Sequence, residues 1–151
     1  MNRLATLAAI LTLAVAPAAA DEVRPDTPTS VKGARVVAVD EAKNLLDRKG
    51  TAFFDTRSPL NFGKRHVPGA TPLSYKEKSE YRADFDATQD AFDLARLPAD
   101  KNASIVFYSD GPTGWKSYKA TVLSVKAGYR NVLWMRDGFA GWVARAFPVE
   151  H

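Results

Sequence analysis

The stretch ASIVFYSDGPTGWKSYKATVLSVKAG, Ala103 to Gly128, carries the fold in outline. Its opening run, Ala103 to Tyr108, is compact, mostly apolar and rich in β-branched and aromatic residues, which predicts a strand. A continuous apolar strand is buried on both faces, as in a parallel sheet lying under helices. SDGPTG, residues 109–114, reads as a loop. Lys116 to Ala127 predicts a helix closed by Gly128. Its apolar residues form two groups, Tyr118/Val122/Val125 and Ala120/Leu123/Ala127, so the helix is expected to be covered on more than one side.

Working outward, the same alternation recurs. Arg35–Val39 is a short β-branched strand candidate. Asp40 is a good N-cap for a helix that places Ala42, Leu45 and Leu46 on one face and stops before Gly50. TAFFDTR predicts a second strand with Asp55 at its end, followed by a turn-rich stretch to Pro68-Gly69 and a short strand near Thr71–Leu73. Asp86–Leu97 could form a helix through Ala91, Phe92, Leu94 and Ala95, stopped by Pro98. NVLWM is another strand. Asp137-Gly138 turns the chain into a last short helix faced by Phe139, Trp142, Val143 and Ala146. Alternating strands and helices argue an α/β domain with a mainly parallel sheet. Ligands of such sheets sit at the carboxyl ends of strands, where Asp55 and Ser109 fall.

The amino terminus reads differently. Arg3 precedes an uncharged apolar run, Leu4 to Ala16, then Pro17 and the small residues Ala18, Ala19 and Ala20. This is the layout of a secretory signal cut after Ala20. The run is too short for a bilayer span, which needs about 20 apolar residues. The layout implies export to a bacterial periplasm, with no membrane insertion once the signal is removed. Residues 21–34, with Pro25, Pro28 and Gly33, read as an extended leader or linker, and 35–151 as one domain. Removing residues 1–20 takes away Arg3 and no acid, leaving 20 basic and 17 acidic residues, a net charge of +3. The basic residues are scattered among acids, so nucleic acid is not an expected partner. There is no cysteine, which removes disulfides, thiolate metal sites and persulfide chemistry together.

FFDTRSPLNFGKRHVPGA resembles the first signature of the rhodanese family: an apolar strand, Asp-x-Arg, a spacer, then His-Val-Pro-Gly-Ala, here Asp55, Arg57, His66, Val67, Pro68, Gly69 and Ala70. DGFAGWVARAFPV resembles the second, through Gly138, Trp142, Pro148 and Val149. The resemblance spans about residues 36–149. It implies a three-layer α/β fold with about five mainly parallel strands and helices on both faces. In that family the loop after the central strand begins with a cysteine whose thiolate carries sulfur as a persulfide, which implies thiosulfate or thiol sulfurtransferase activity. Loop amides and the following helix end form an anion cradle. Ser109 stands at the cysteine position. Some exported relatives carry a second cysteine before a WKS segment, where this chain has Gly114 before Trp115, Lys116 and Ser117. The loop's basic residue, Lys116, comes later than is usual, so the loop is longer. An alcohol is a far weaker acid than a thiol, whose free pKa is about 8.5, and serine holds no transferable sulfur. A sulfurtransferase proper would need cysteine at position 109.

The expected site is therefore an anion-binding loop: Ser109, Asp110, Gly111, Pro112, Thr113, Gly114, Trp115, Lys116 and Ser117. Gly111 and Gly114 let the backbone turn inward. Ser109, Thr113 and Ser117 offer hydroxyls, Lys116 a charge, and Asp110 opposes an anion unless it faces solvent. Asp55, Arg57, His66, Pro68, Gly69, Gly138 and Trp142 are expected to be structural, with Asp55→Ala costing about 1–3 kcal/mol through unpaired polar groups. Other chemistries fare worse. YSDG lacks the G-x-S-x-G elbow of a serine hydrolase. GPTGWKS has Trp115 where a P-loop needs glycine. With two histidines, His66 and His151, and no cysteine, neither a metal nor a cofactor is expected. The expected partner is a small anion or a periplasmic protein. The rival reading is an enzyme acting on a phosphate- or sulfate-like group held by the same loop.

Overall fold

The computed structural model describes residues 23–151. The expected export signal, residues 1–20, lies outside the described residues. Five strands form one sheet: β1 (Ala34–Val36), β2 (Thr51–Asp55), β3 (Thr71–Pro72), β4 (Ser104–Tyr108) and β5 (Val132–Met135). Their order is β1-β5-β4-β2-β3, and every pairing is parallel. Three α-helices lie between strands, α1 (Val39–Arg48), α2 (Pro59–Lys64) and α3 (Trp115–Lys126), and a fourth, α4 (Gly138–Ala144), follows β5. The α/β architecture and the strand number expected from the sequence are those observed.

Strand alternation sorts the core onto two faces. Phe53, Val106, Tyr108, Leu133 and Met135 pack with Val39 and Ala42 of α1 and with Phe139 and Trp142 of α4. Phe54, Ile105, Phe107 and Val132 pack on the other face with Ala120 of α3. The central strand β4 is buried from Ile105 to Tyr108, which is why its sequence shows no alternation. Helix α3 is covered twice. One side meets the sheet, and Trp115 and Tyr118 join Val31 and Trp134 in a third cluster.

Several local expectations are corrected. Ala38, not Asp40, is the N-cap of α1. Asp40 lies in the first helical turn, where a carboxylate suits the helix dipole, and pairs with Arg145 at 2.8 Å. Residues 86–97 form two 3₁₀ turns, Ala87–Gln89 and Leu94–Arg96, rather than a helix. Aspartates take the backbone amides that a helix would use: Asp86 accepts from Thr88 N and Asp93 from Ala95 N. Asp90 accepts from the Tyr75 hydroxyl, the Ser79 hydroxyl and the amides of Lys78 and Ser79, all at 2.6–2.7 Å. In α4, Phe139 and Trp142 are buried, but Val143 and Ala146 are exposed; the chain has already left the helix at Ala146, whose φ is 54°.

Residues 23–33 form no helix or strand, yet they are fastened to the domain. Thr27 is buried, and its amide and hydroxyl both donate to Pro112 O, at 2.8 and 2.7 Å. Trp115 Nε1 donates to Pro25 O at 2.8 Å. Arg136 donates to Thr27 O, Thr27 Oγ1 and Pro28 O. No local signal marks this docking, because its partners lie 85 or more residues away in sequence.

Candidate functional site

The site is built where β4 ends. The residues beside that end are fixed by a buried ion pair. Asp55 closes β2, in register with Tyr108, and Arg57 follows two residues later. Their side chains are 0% and 5% exposed. Arg57 Nε lies 3.0 and 3.1 Å from the two Asp55 oxygens, and Arg57 Nη2 donates to Oδ2 at 2.6 Å. The Arg57 amide also donates to Asp55 Oδ1, and Nη2 donates to Arg65 O. The guanidinium sits 4.2 Å from the Phe139 ring centre. Burial opposes its charge, but the Asp55 carboxylate holds its pKa above the ordinary value. The Asp-x-Arg spacing thus ties β2 to the turn after α2 and to α4. His66 stacks on Phe62 at 3.8 Å, and its Nδ1 meets Phe62 O. Its backbone bridges Glu150, while Gly69 N donates to the Glu150 side chain. Trp142 is buried and donates to Pro148 O.

Ser109 heads the loop. It is 1% exposed, and its Oγ has no hydrogen-bond partner among the described residues. Two glycines allow the packing around it. Gly138 has φ of +62°, and a Cβ there would lie 2.6 Å from both Gly111 N and Ser109 O. A Cβ on Gly114 would lie 2.8 Å from Gly111 O and 2.9 Å from Ser109 Cβ. Phe139 N donates to Ser109 O and Ala140 N to Asp110 O, so the start of α4 clamps the start of the loop.

The loop spends several of the donors expected for an anion. Gly114 N donates to Gly111 O and Trp115 N to Thr113 O. The Ser117 hydroxyl donates to Gly114 O and accepts from Trp134 Nε1. Pro112 O is covered by Thr27. Trp115 is core, packed with Tyr118 and Tyr81 and tied to Pro25. Exposed at the rim are Asp110, Pro112 and Thr113, with Lys116 half-exposed. Lys116 lines a cavity of about 400 Å³ that it shares with Arg24, Ser58, Ser74, Lys78 and Tyr81. The nine loop residues are contiguous in space, but they divide into a buried floor at 109, 111, 114, 115 and 117 and an outer rim.

A second polar centre lies behind the rim and was not expected from the sequence. Lys119, on α3, is 0% exposed. Its Nζ lies 2.7 Å from Glu77 Oε2 and donates to Ser79 O and Oγ at 3.1 and 2.8 Å. It stands between the rings of Tyr81 and Phe85, about 5.5 and 5.3 Å from their centres. It therefore anchors residues 77–85 over α3. A lysine flanked by Tyr118 and Ala120 in a doubly covered helix was the one hint available. Among the described residues, no group of His, Cys, Asp or Glu could hold a metal ion, and no helix is long and apolar enough to cross a membrane.

A parallel β1-β5-β4-β2-β3 sheet, with helices on both faces and a glycine-bearing loop leading from the central strand into a helix, defines a class of α/β domain that holds its site at the carboxyl ends of the strands. The profile of the family described as "Rhodanese-like domain" matches residues 38–145, and the chain belongs to that family. It is 27% identical over 134 residues to rhodanese-like domain-containing protein 17 of Arabidopsis thaliana, covering 83% of this chain and 80% of that protein. It is also 27% identical over 134 residues to thiosulfate sulfurtransferase 18 of the same plant, covering 81% and 89%. Among solved structures, a thiosulfate sulfurtransferase from Pseudomonas aeruginosa superposes with a TM-score of 0.61 at 23% identity, over 80% of this chain and 21% of that one. A rhodanese-related protein from Thermoplasma volcanium gives 0.56 at 11% identity, over 77% and 97%. These two likenesses concern the fold.

Proposed function

We propose that this chain is an exported rhodanese-like protein that does not transfer sulfur and instead binds a small anion at the rim of loop 109–117. The observation that carries the reading is Ser109. It occupies the head of the loop, where the family's signature places cysteine, and the chain has no cysteine to substitute for it. Its hydroxyl is buried with no partner among the described residues, neither a thiolate nor beside a base that would make it a nucleophile. His66, the one histidine in the domain's signature, is committed to Phe62.

Anion binding draws support from the rim. Thr113 is exposed, Lys116 adds a positive charge, and α3 begins at Trp115 with its amino end toward the loop. Asp110 is exposed and can turn its carboxylate to solvent. Export rests on Arg3, the Leu4–Ala16 run and Ala18–Ala20. The test is a titration of the Asp21–His151 chain with sulfate, thiosulfate and phosphate, followed by amide NMR. Amides 110, 113 and 116 should shift together and saturate, and Lys116→Ala should weaken the effect. Shifts spread evenly over the lysine-rich surface, without saturation at this loop, contradict the reading. Slow release of inorganic phosphate from added esters would favour the enzymatic alternative.

A further inference from the structure

The cavity that receives Lys116 is bounded by four cations, Arg24, Lys76, Lys78 and Lys116, drawn from the leader, from the segment after β3 and from α3. None of the four forms an ion pair among the described residues, whereas the mature chain as a whole is nearly balanced in charge. The cavity holds little negative charge to offset these cations. Its sole carboxylate, Glu77, is paired with buried Lys119 at 2.7 Å. Its spare donors face no partner. The Ser58 hydroxyl accepts from Asn61 N and keeps its own proton to donate. The Arg24 guanidinium is held 5.3 Å from the Tyr81 ring centre, which orients its planar fork. A lining of four unpaired cations, spare donors and one paired carboxylate selects a ligand made of acceptors. At about 400 Å³ the cavity is several times larger than a single oxyanion and falls in the range of small-molecule sites, about 300–1,000 Å³.

We infer that this cavity binds a small organic or condensed polyanion, a molecule carrying two or more oxyanion groups, with Lys78 and Lys116 as its main contacts and Arg24 completing the site from the docked leader. It shares only Lys116 with the rim site proposed above and otherwise stands apart from it. Pyrophosphate and citrate serve as phosphate-based and carboxylate-based probes, with inorganic phosphate as the single-group reference. They are titrated into the Asp21–His151 chain, with affinity measured by calorimetry and the site mapped by amide NMR. One or both polyanions should bind at least about tenfold more tightly than phosphate, weaken with added salt, and shift the amides of Ser58 and of 74–81. Which of the two binds tells phosphate from carboxylate chemistry. Lys78→Ala combined with Lys116→Ala should lower affinity at least about tenfold, while Lys126→Ala leaves it unchanged. Lys78 is exposed and Lys116 half-exposed, and neither lysine side chain forms a hydrogen bond or ion pair among the described residues, so the double variant should keep its urea midpoint; an amide map of the unaltered chain gives an independent reading. Equal binding of phosphate and both polyanions, or shifts confined to residues 110–113, overturns the cavity assignment while leaving the rim site standing. Saturation at 58 and 74–81 with silence at 110–113 has the opposite meaning.

Discussion

Replacing Asp55 by alanine probes the joint on which the site rests. The carboxylate is fully buried and receives Arg57 through Nε and Nη2, together with the Arg57 amide. Without it, a guanidinium that is 5% exposed keeps Arg65 O and the faces of Phe139 and Tyr108 but no carboxylate. Removing one member of a buried ion pair costs about 3–5 kcal/mol, because the other charge stays buried and unpaired. This exceeds the 1–3 kcal/mol or so that ordinary unpaired polar groups would cost, since the sequence could not show that Arg57 is buried as well. At a urea m-value of about 1.5–2 kcal/mol/M, the midpoint should fall by about 2–3 M. That is a large share of the roughly 5–15 kcal/mol that hold a domain together. The double replacement Asp55→Ala with Arg57→Met should recover much of the loss, as no charge is then stranded. A midpoint shift under about 0.5 M for Asp55→Ala, with two-state melting intact, refutes the reasoning.

Other outcomes follow from the same structure. Starting the chain at residue 29 removes Pro25 and Thr27, so Trp115 fluorescence should shift toward that of a solvated indole; an unchanged spectrum would mean that the leader does not cover the loop. In Ser109→Cys the new thiol should react slowly with a thiol reagent and faster once residues 21–28 are absent, whereas equal rates would show an open loop. Tyr108 is held well above the usual phenol pKa, by burial first and then by the Asp55 charge. Its contribution is therefore complete below the unfolded value of about pH 10 and is lost as pH rises from there toward the folded value. Urea midpoints should fall between about pH 9 and about pH 11, and less so in Tyr108→Phe; identical slopes for the two proteins would exclude this source. Lys119→Met should cost about 3 kcal/mol or more by stranding Glu77, measured by urea melting, and a neutral result would mean that water reaches the pair.

What the sequence reveals depends on how far apart the cooperating residues lie. The strand pattern of Ser104–Tyr108 and Val132–Met135, and the glycine at 114, are local signals with local causes, and the sheet follows from the strands. Asp55 and Arg57 are two residues apart, so their motif was readable although the depth of their burial was not. The stretch 86–97 misled because its apolar residues have helical spacing, while Asp86 and Asp93 take nearby amides and Asp90 binds amides of the preceding segment, more than ten residues back. The leader's hold on Pro112, Trp115 and Arg136 and the Lys119–Glu77 pair join residues 40 or more apart, and no spacing rule reaches that far. For that reason the loop looked open and rich in donors, whereas its floor is closed and its free groups stand at the rim.

The central claim, that a rhodanese-like domain has kept its architecture without its sulfur chemistry, is tested most directly by thiocyanate formation from thiosulfate and cyanide with the Asp21–His151 chain. Serine at position 109 and the absence of cysteine predict a rate equal to the protein-free control at every protein concentration. Thiocyanate produced in proportion to protein, and abolished by Ser109→Ala, would contradict the account.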